Sequence, residues 1–154
     1  MNLKICAGAS AGGHLNQLLK VLNYSEDWIT QPSVYITTQP ELAGKLEKRG
    51  RTYIIGECNR YHPLAAINII FKGFVLMLKE KPDVIITTGS MPIAMICLVA
   101  KLFRKKIIWI DSIANTERFS LSGRLMYHFA DLFLTQWPHL AKTHRKAEYV
   151  GAIL

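Results

Sequence analysis

Seven short runs rich in β-branched and aliphatic residues alternate with helical patterns along the 154 residues, and this alternation restricts the fold more than any other feature. The strand candidates are residues 3–8, 33–38, 52–57, 84–88, 106–110, 132–136 and, near the end, 148–150. Between them lie amphipathic or apolar helical stretches, the signature of βα units around a parallel sheet covered on both faces. A chain of this length buries enough surface for one domain, residues 1–154, and is too short for two full α/β domains.

The first strand runs into Ala9-Ser10-Ala11-Gly12-Gly13-His14 and then into a helix beginning near Leu15, with Leu15, Leu18, Leu19 and Leu22 on one face. Paired glycines let a ligand approach the backbone, and the helix start behind them offers unpaired N–H groups and a positive dipole end. This is a phosphate-site pattern. His14 falls in the first turn, where the dipole favours a neutral imidazole able to accept a proton. A plain strand-to-helix turn, with its histidine bonded to nearby backbone, is the alternative. A dinucleotide fingerprint is excluded, because there is no G-x-G-x-x-G and no acidic residue ends the second strand. No Lys-Ser or Lys-Thr follows the glycines, which excludes a Walker loop.

The helix expected over residues 64–81 is unusual. Asn68, Lys72 and Lys79 form one narrow polar stripe, and nearly everything else is apolar. That surplus can meet neighbouring helices, a partner protein or lipid. The fourth strand, Val84-Ile85-Ile86-Thr87-Thr88, is apolar enough to be central. Gly89-Ser90 follows it, with Pro92 in the first turn of a helix to about Phe103. In an open parallel sheet, ligands bind beyond the strands' carboxyl ends, where the strand order reverses. Gly12-Gly13 and Gly89-Ser90 would flank that crevice. The fifth strand delivers Asp111 and Ser112 to the same edge, where Asp111 either handles a sugar hydroxyl or caps local backbone donors. Residues 115–124 form a polar loop bearing Arg118, Ser122, Gly123 and Arg124, and arginine suits a diphosphate.

Half the residues are hydrophobic, which excludes disorder, and the formal charge is +8. The one dense basic cluster, Lys101, Arg104, Lys105 and Lys106, ends a helix and complements its dipole, so no nucleic-acid partner is expected. Scattered positive charge points instead to an anionic membrane surface or a phosphorylated ligand. Cys6, Cys58 and Cys97 have neither an even count nor metal spacing, which implies a reducing compartment and no metal site. The start of the chain lacks signal-peptide features, and the best apolar stretch, residues 64–78, is shorter than the roughly 20 residues a membrane span needs. Peripheral attachment at the cytoplasmic face of a membrane is the expectation.

With these residues in place, the chain resembles the small accessory subunit of two-component, UDP-sugar-dependent glycosyltransferases, which act in capsular and exopolysaccharide synthesis and in lipid-linked oligosaccharide synthesis. The resemblance rests on Ser10-Ala11-Gly12-Gly13-His14-Leu15, on Lys81-Pro82-Asp83-Val84-Ile85-Ile86-Thr87-Thr88-Gly89 and on Ser120-Leu121-Ser122-Gly123-Arg124-Leu125. Ala130-Asp131-Leu132-Phe133-Leu134-Thr135-Gln136-Trp137-Pro138 and Gly151 extend it. That family is similar in turn to the N-terminal half of the enzyme adding N-acetylglucosamine to the lipid-linked peptidoglycan precursor. The resemblance implies an α/β Rossmann-like parallel sheet with helices on both faces, one half of a GT-B glycosyltransferase. It also implies a partner: a separate catalytic subunit holding the UDP-sugar, while this chain holds a polyprenyl-diphosphate-linked acceptor without a cofactor of its own.

The same resemblance makes His14 the first candidate for base or acceptor-hydroxyl contact, with Asp111 second. Ser10, Gly12, Gly13, Gly89, Ser90, Ser112, Arg118, Ser122, Gly123 and Arg124 are then the candidates for holding the diphosphate or the partner's sugar nucleotide. Three departures bear on these roles. Ala9, Ser10 and Ala11 stand where the peptidoglycan enzyme has more glycines, Asp111 stands where relatives commonly have glutamate, and the membrane-spanning segment of eukaryotic members is missing. A scaffold that only recruits the catalytic subunit to the membrane is the alternative function, and an independent nucleotide-binding α/β protein is a third.

Overall fold

All the strands of the sheet run parallel, in the order β3-β2-β1-β4-β5-β6-β7. The computed structural model describes residues 3–24, 30–58 and 63–153. The strands are β1 (Ile5–Ala9), β2 (Val34–Thr37), β3 (Arg51–Ile54), β4 (Val84–Thr87), β5 (Lys106–Ile110), β6 (Leu132–Thr135) and β7 (Ala147–Tyr149). The helices are α1 (Gly13–Tyr24), α2 (Ala43–Glu47), α3 (Pro63–Glu80), α4 (Met91–Leu102), α5 (Leu121–Phe129) and α6 (Pro138–Thr143). Strand order reverses between β1 and β4, as in doubly wound nucleotide-binding folds.

The expected elements are all present, with shifted ends. The third strand stops at Ile54 rather than residue 57, the first helix starts at Gly13, and Pro40 opens a 3₁₀ turn, Pro40–Leu42, ahead of the short α2. The α3 helix ends one residue early because Lys81 adopts φ +48°, leaving the helical region. The approach to α3 through residues 59–62 lies outside the described residues.

Alternation along the strands divides the core in two. Cys6, Val34, Ile36, Ile85, Ile107, Trp109 and Phe133 face the layer of α3, α4, α5 and α6. Ile5, Ala7, Tyr35, Ile86 and Ile110 face α1 and α2. The first layer is dense: a Cβ built on Gly73 of α3 would stand 3.1 Å from Ile96 and 3.4 Å from Val99 of α4, so glycine lets the two helices meet. Among the described residues the second layer is incomplete. Val84, Ile108, Leu132 and Leu134 line an apolar groove of about 470 Å³ beside α1, and Ile153 and Val150 border a second one of about 510 Å³.

At the strands' amino ends, charged side chains tie the elements together. Glu80, buried at the end of α3, accepts from Lys4 (2.9 Å), Arg51 (2.7 Å) and Tyr53. The basic cluster has partners as well as a dipole, since Lys101 and Lys106 both bind Asp131, at 2.8 and 3.1 Å.

Candidate functional site

Among the described residues, and apart from Glu80, the buried polar residues gather at one edge of the molecule. Ser10, Thr37, Thr38, Thr87, Thr88, Asp111, Ser122, Thr135 and Gln136 are all at or beyond the strands' carboxyl ends. Buried hydroxyl, carboxyl and amide groups cost free energy unless they are paired, so their concentration there needs a function.

The two glycine corners follow neighbouring strands, β1 and β4, at the switch point of the sheet. Gly12 has φ +77°, a conformation that glycine adopts without strain, and its carbonyl accepts from Asn16 N–H to start α1. A Cβ on Gly13 would meet only open space among the described residues, so packing does not account for that glycine. His14, half-buried, clasps the opposite corner. Its Nδ1–H donates to the Thr88 carbonyl at 2.8 Å, and the Thr88 hydroxyl donates to the His14 carbonyl at 2.6 Å. A carbonyl only accepts, so Nδ1 carries the hydrogen, and in the neutral ring Nε2 is the bare nitrogen.

Gly89 sits between the rings of Trp109 and His14: a Cβ there would lie 3.1 Å from Trp109 Cζ2 and 3.7 Å from His14 Cε1, and φ is +104°. Ser90 follows at φ +121° and ψ +158°, in a region nearly confined to glycine. Its Oγ is buried without a partner among the described residues. Ser10 is buried just beyond β1, and Ala11 N–H reaches the Thr38 hydroxyl at the end of β2 at 3.4 Å.

Asp111 acts as an anchor. Its Oδ2 accepts from Ser120 N–H at 3.1 Å, while Oδ1 accepts from the Ser120 hydroxyl at 2.7 Å and from Trp109 Nε1–H at 3.4 Å. Burial pushes its carboxyl above the ordinary value, against the opposing pull of hydrogen bonds from Ser120 and Trp109. Ser120 in turn caps α5 by accepting Gly123 N–H at 2.8 Å. Gly123 is packed so closely that a Cβ would lie 2.3 Å from Asp111 Oδ1. Ser122 is buried beside Ser120, and Ser112 Oγ accepts from Ala114 N–H in a local turn.

The loop after β5 is firmly held. Trp137 Nε1–H donates to Ile113 O, His139 to Thr116 O, and Phe119 is buried against Phe133 and His144. Arg118 is exposed on this loop. Arg124 borders a hollow lined by Phe119, Tyr127, His128 and His144. The structure thus brings His14 against Thr88 and Gly89, with Gly12, Gly13 and Ser90 next to them along the chain, and gathers Asp111, Ser122 and Gly123 around Ser120.

Sequence reasoning passed over Thr88, Trp109 and Gln136 as site residues. Gln136 Nε2 donates to Asp111 O and to Gln17 Oε1, both at 3.0 Å, and its Oε1 accepts Ile153 N–H at 2.8 Å. One buried amide joins α1, the end of β5 and the segment after β7. The available signal was the pair of polar residues that ends apolar strand after apolar strand: Thr37-Thr38, Thr87-Thr88, Asp111-Ser112 and Thr135-Gln136.

This arrangement can be set against known proteins. Residues 4–153 match the family described as oligosaccharide biosynthesis protein Alg14 like. The chain belongs to this Alg14-like family. Among its relatives is the UDP-N-acetylglucosamine transferase subunit of Schizosaccharomyces pombe, 29% identical over 93% of this chain and 80% of the relative. The Homo sapiens subunit is 25% identical over 99% of this chain and 84% of its own length. Among solved structures, Acinetobacter baumannii MurG superposes with a TM-score of 0.74 at 16% identity, over 90% of this chain and 43% of that one. The Rickettsia bellii UDP-N-acetylglucosamine 2-epimerase superposes with a TM-score of 0.76 at 15% identity, over 99% and 45%. The chain spans less than half of either structure, and the likeness establishes for the Alg14-like chain the GT-B-like Rossmann fold. Among the described residues, no helix is long and apolar enough to cross a membrane.

Proposed function

We propose that this Alg14-like chain is the acceptor-side subunit of a two-component glycosyltransferase, working with a separate catalytic subunit that holds a UDP-sugar. The acceptor is a polyprenyl-diphosphate-linked sugar presented at the membrane surface, and the product is a lipid-linked oligosaccharide or a capsular or exopolysaccharide unit. The reading is supported by the His14–Thr88 clasp, which ties the start of α1 to the segment leading into α4 and leaves Nε2 as the bare nitrogen of a neutral His14. The N–H groups at the start of α1 suit the acceptor diphosphate, whose charge the helix dipole favours. His14 Nε2 takes the proton of the attacking acceptor hydroxyl as its oxygen bonds to the sugar's anomeric carbon and UDP departs. Asp111, already engaged with Ser120, positions the wall rather than exchanging protons. The apolar groove on the α1 side of β4, β5 and β6 supports the partner, because parallel sheets are ordinarily covered on both faces.

The test is a transfer assay with each polypeptide alone and with both together. UDP-N-acetylglucosamine is the first donor, being the sugar named in the relatives. Transfer is expected only from the pair, and His14→Ala is expected to cut turnover by about a hundredfold with assembly intact. Robust transfer by this chain alone would end the division of labour. Unchanged turnover in the histidine variant would leave a scaffold that only recruits its partner.

A further inference from the structure

The α1 helix packs on β1, but its flank toward β4, β5 and β6 borders an open apolar groove, which Val21 lines, rather than another helix among the described residues. Without close-packed neighbours on that flank, apolar contact leaves the rotation of the helix about its axis loosely specified. One buried side chain reaches α1 from that side. Gln136, 2% exposed and just beyond β6, donates from Nε2 to Gln17 Oε1 at 3.0 Å.

The Gln136 amide has a fixed sense. It also donates from Nε2 to the Asp111 carbonyl at 3.0 Å, and its Oε1 accepts Ile153 N–H at 2.8 Å. A carbonyl only accepts and a peptide N–H only donates, so two backbone groups decide which end of the amide is which. Both Nε2 hydrogens are engaged in a buried setting, where a bond given up is not replaced by one to water. The ends of β5 and β6 and the segment after β7 thus make one frame, and α1 is referenced to it. Gln17 lies three residues beyond His14, about 4.5 Å along the axis. A rotation of α1 by about 10° carries an atom at the helix perimeter through about 1 Å. Displacements of that size at a reacting group can cost about a hundredfold in rate.

We infer that Gln136 is a positioning residue for His14: through Gln17 it fixes the rotation of α1, and with it the direction in which Nε2 points. The inference rests on the acceptor-side reading, in which Nε2 takes the acceptor proton, but its first test needs neither acceptor nor partner. His14 bonded to the Thr88 carbonyl carries its hydrogen on Nδ1, whereas an unrestrained neutral imidazole samples both tautomers. NMR spectra of the imidazole nitrogens in the purified chain, assigned with His14→Ala, read that balance. Gln17→Met, at a half-buried position, cuts only the tie to α1, and Gln136→Met cuts all three bonds. Both should move the His14 signals toward mixed tautomers with circular dichroism unchanged. Glu80→Gln lowers stability at the other end of the strands and should leave the signals in place. With both polypeptides present, each methionine variant should lower kcat about tenfold, less than His14→Ala because Thr88 still holds the ring, with the donor KM within about twofold. Wild-type His14 signals in Gln17→Met would overturn the inference, even if Gln136→Met failed to fold. A loss confined to KM, or one that Glu80→Gln reproduces, would equally overturn it. Shifted signals in a chain whose wild type supports no transfer with its partner would end the acceptor-side reading and leave the positioning of His14 standing.

Discussion

Replacing Asp111 by asparagine separates positioning from chemistry at this site. The carboxylate accepts Ser120 N–H at 3.1 Å, the Ser120 hydroxyl at 2.7 Å and the Trp109 indole N–H at 3.4 Å. An asparagine in the same pose keeps an oxygen for Ser120 N–H. Its amide then faces the Ser120 hydroxyl, which can accept it, and the indole, which cannot. Hydrogen bonds to a charged group contribute about 1.5–3 kcal/mol and neutral ones about 0.5–1.5, so two bonds lose roughly 2 kcal/mol. Removing a buried charge whose carboxyl burial already pushes upward returns part of this. The net loss is about 1–2 kcal/mol, or about 2–8 °C in Tm for a chain of this size. Asp111→Ala abandons the buried donors and the anchor of the α5 cap, at about 3–5 kcal/mol. Thermal unfolding measures these costs, and the two-polypeptide transfer assay measures turnover. Asparagine should keep turnover within about tenfold while alanine loses both. An asparagine variant of wild-type Tm with turnover reduced by about a thousandfold would refute the reasoning and make the carboxylate a proton-transfer group.

Further outcomes follow from the same geometry. Gly123→Ala places a Cβ 2.3 Å from Asp111 Oδ1 and 2.8 Å from the Ser120 hydroxyl, so unfolding should show a loss above about 3 kcal/mol; a wild-type Tm would contradict the contact. Thr88→Val removes the 2.6 Å bond to the His14 carbonyl but leaves the Thr88 carbonyl on Nδ1. It should cost about 1–2 kcal/mol and reduce turnover less than His14→Ala does. Burial pushes the Glu80 carboxyl up, but hydrogen bonds from Tyr53, Arg51 and Lys4 prevail and hold it at about 2, against an ordinary 4.5. Its contribution is therefore complete above about pH 5 and is lost as pH falls through 4.5 toward 2, amounting to about 2–3 kcal/mol with Arg51 partly in water. Glu80→Gln should flatten that acid limb of a stability–pH curve, and an unchanged slope would count against the ion cluster.

The parallel α/β architecture was legible in the chain because strand and helix periodicities are local. Val84-Ile85-Ile86 reads as a central strand, Leu15, Leu18 and Leu22 as a buried helix face, and Gly12-Gly13-His14 as a strand-to-helix corner, whatever surrounds them. Periodicity also marked α3 as too apolar for one buried face. Pairing was not local. That Gly89 would wedge against Trp109 and His14, or that His14 would bond to Thr88, depends on β4 lying beside β1, a neighbour about eighty residues away. The polar residues after β5 suggest a solvated loop, yet Trp137 and His139, which follow it in the chain, bond to its carbonyls, and its own Phe119 is buried against Phe133 of β6. Asp111 shows the same division: sequence put a carboxylate at the strand end and left its role open between sugar hydroxyl and cap. Only the packed chain set Ser120 and Gly123 around it, because hydrogen bonds and van der Waals contact act over a few ångströms and tertiary folding alone brings those groups that close.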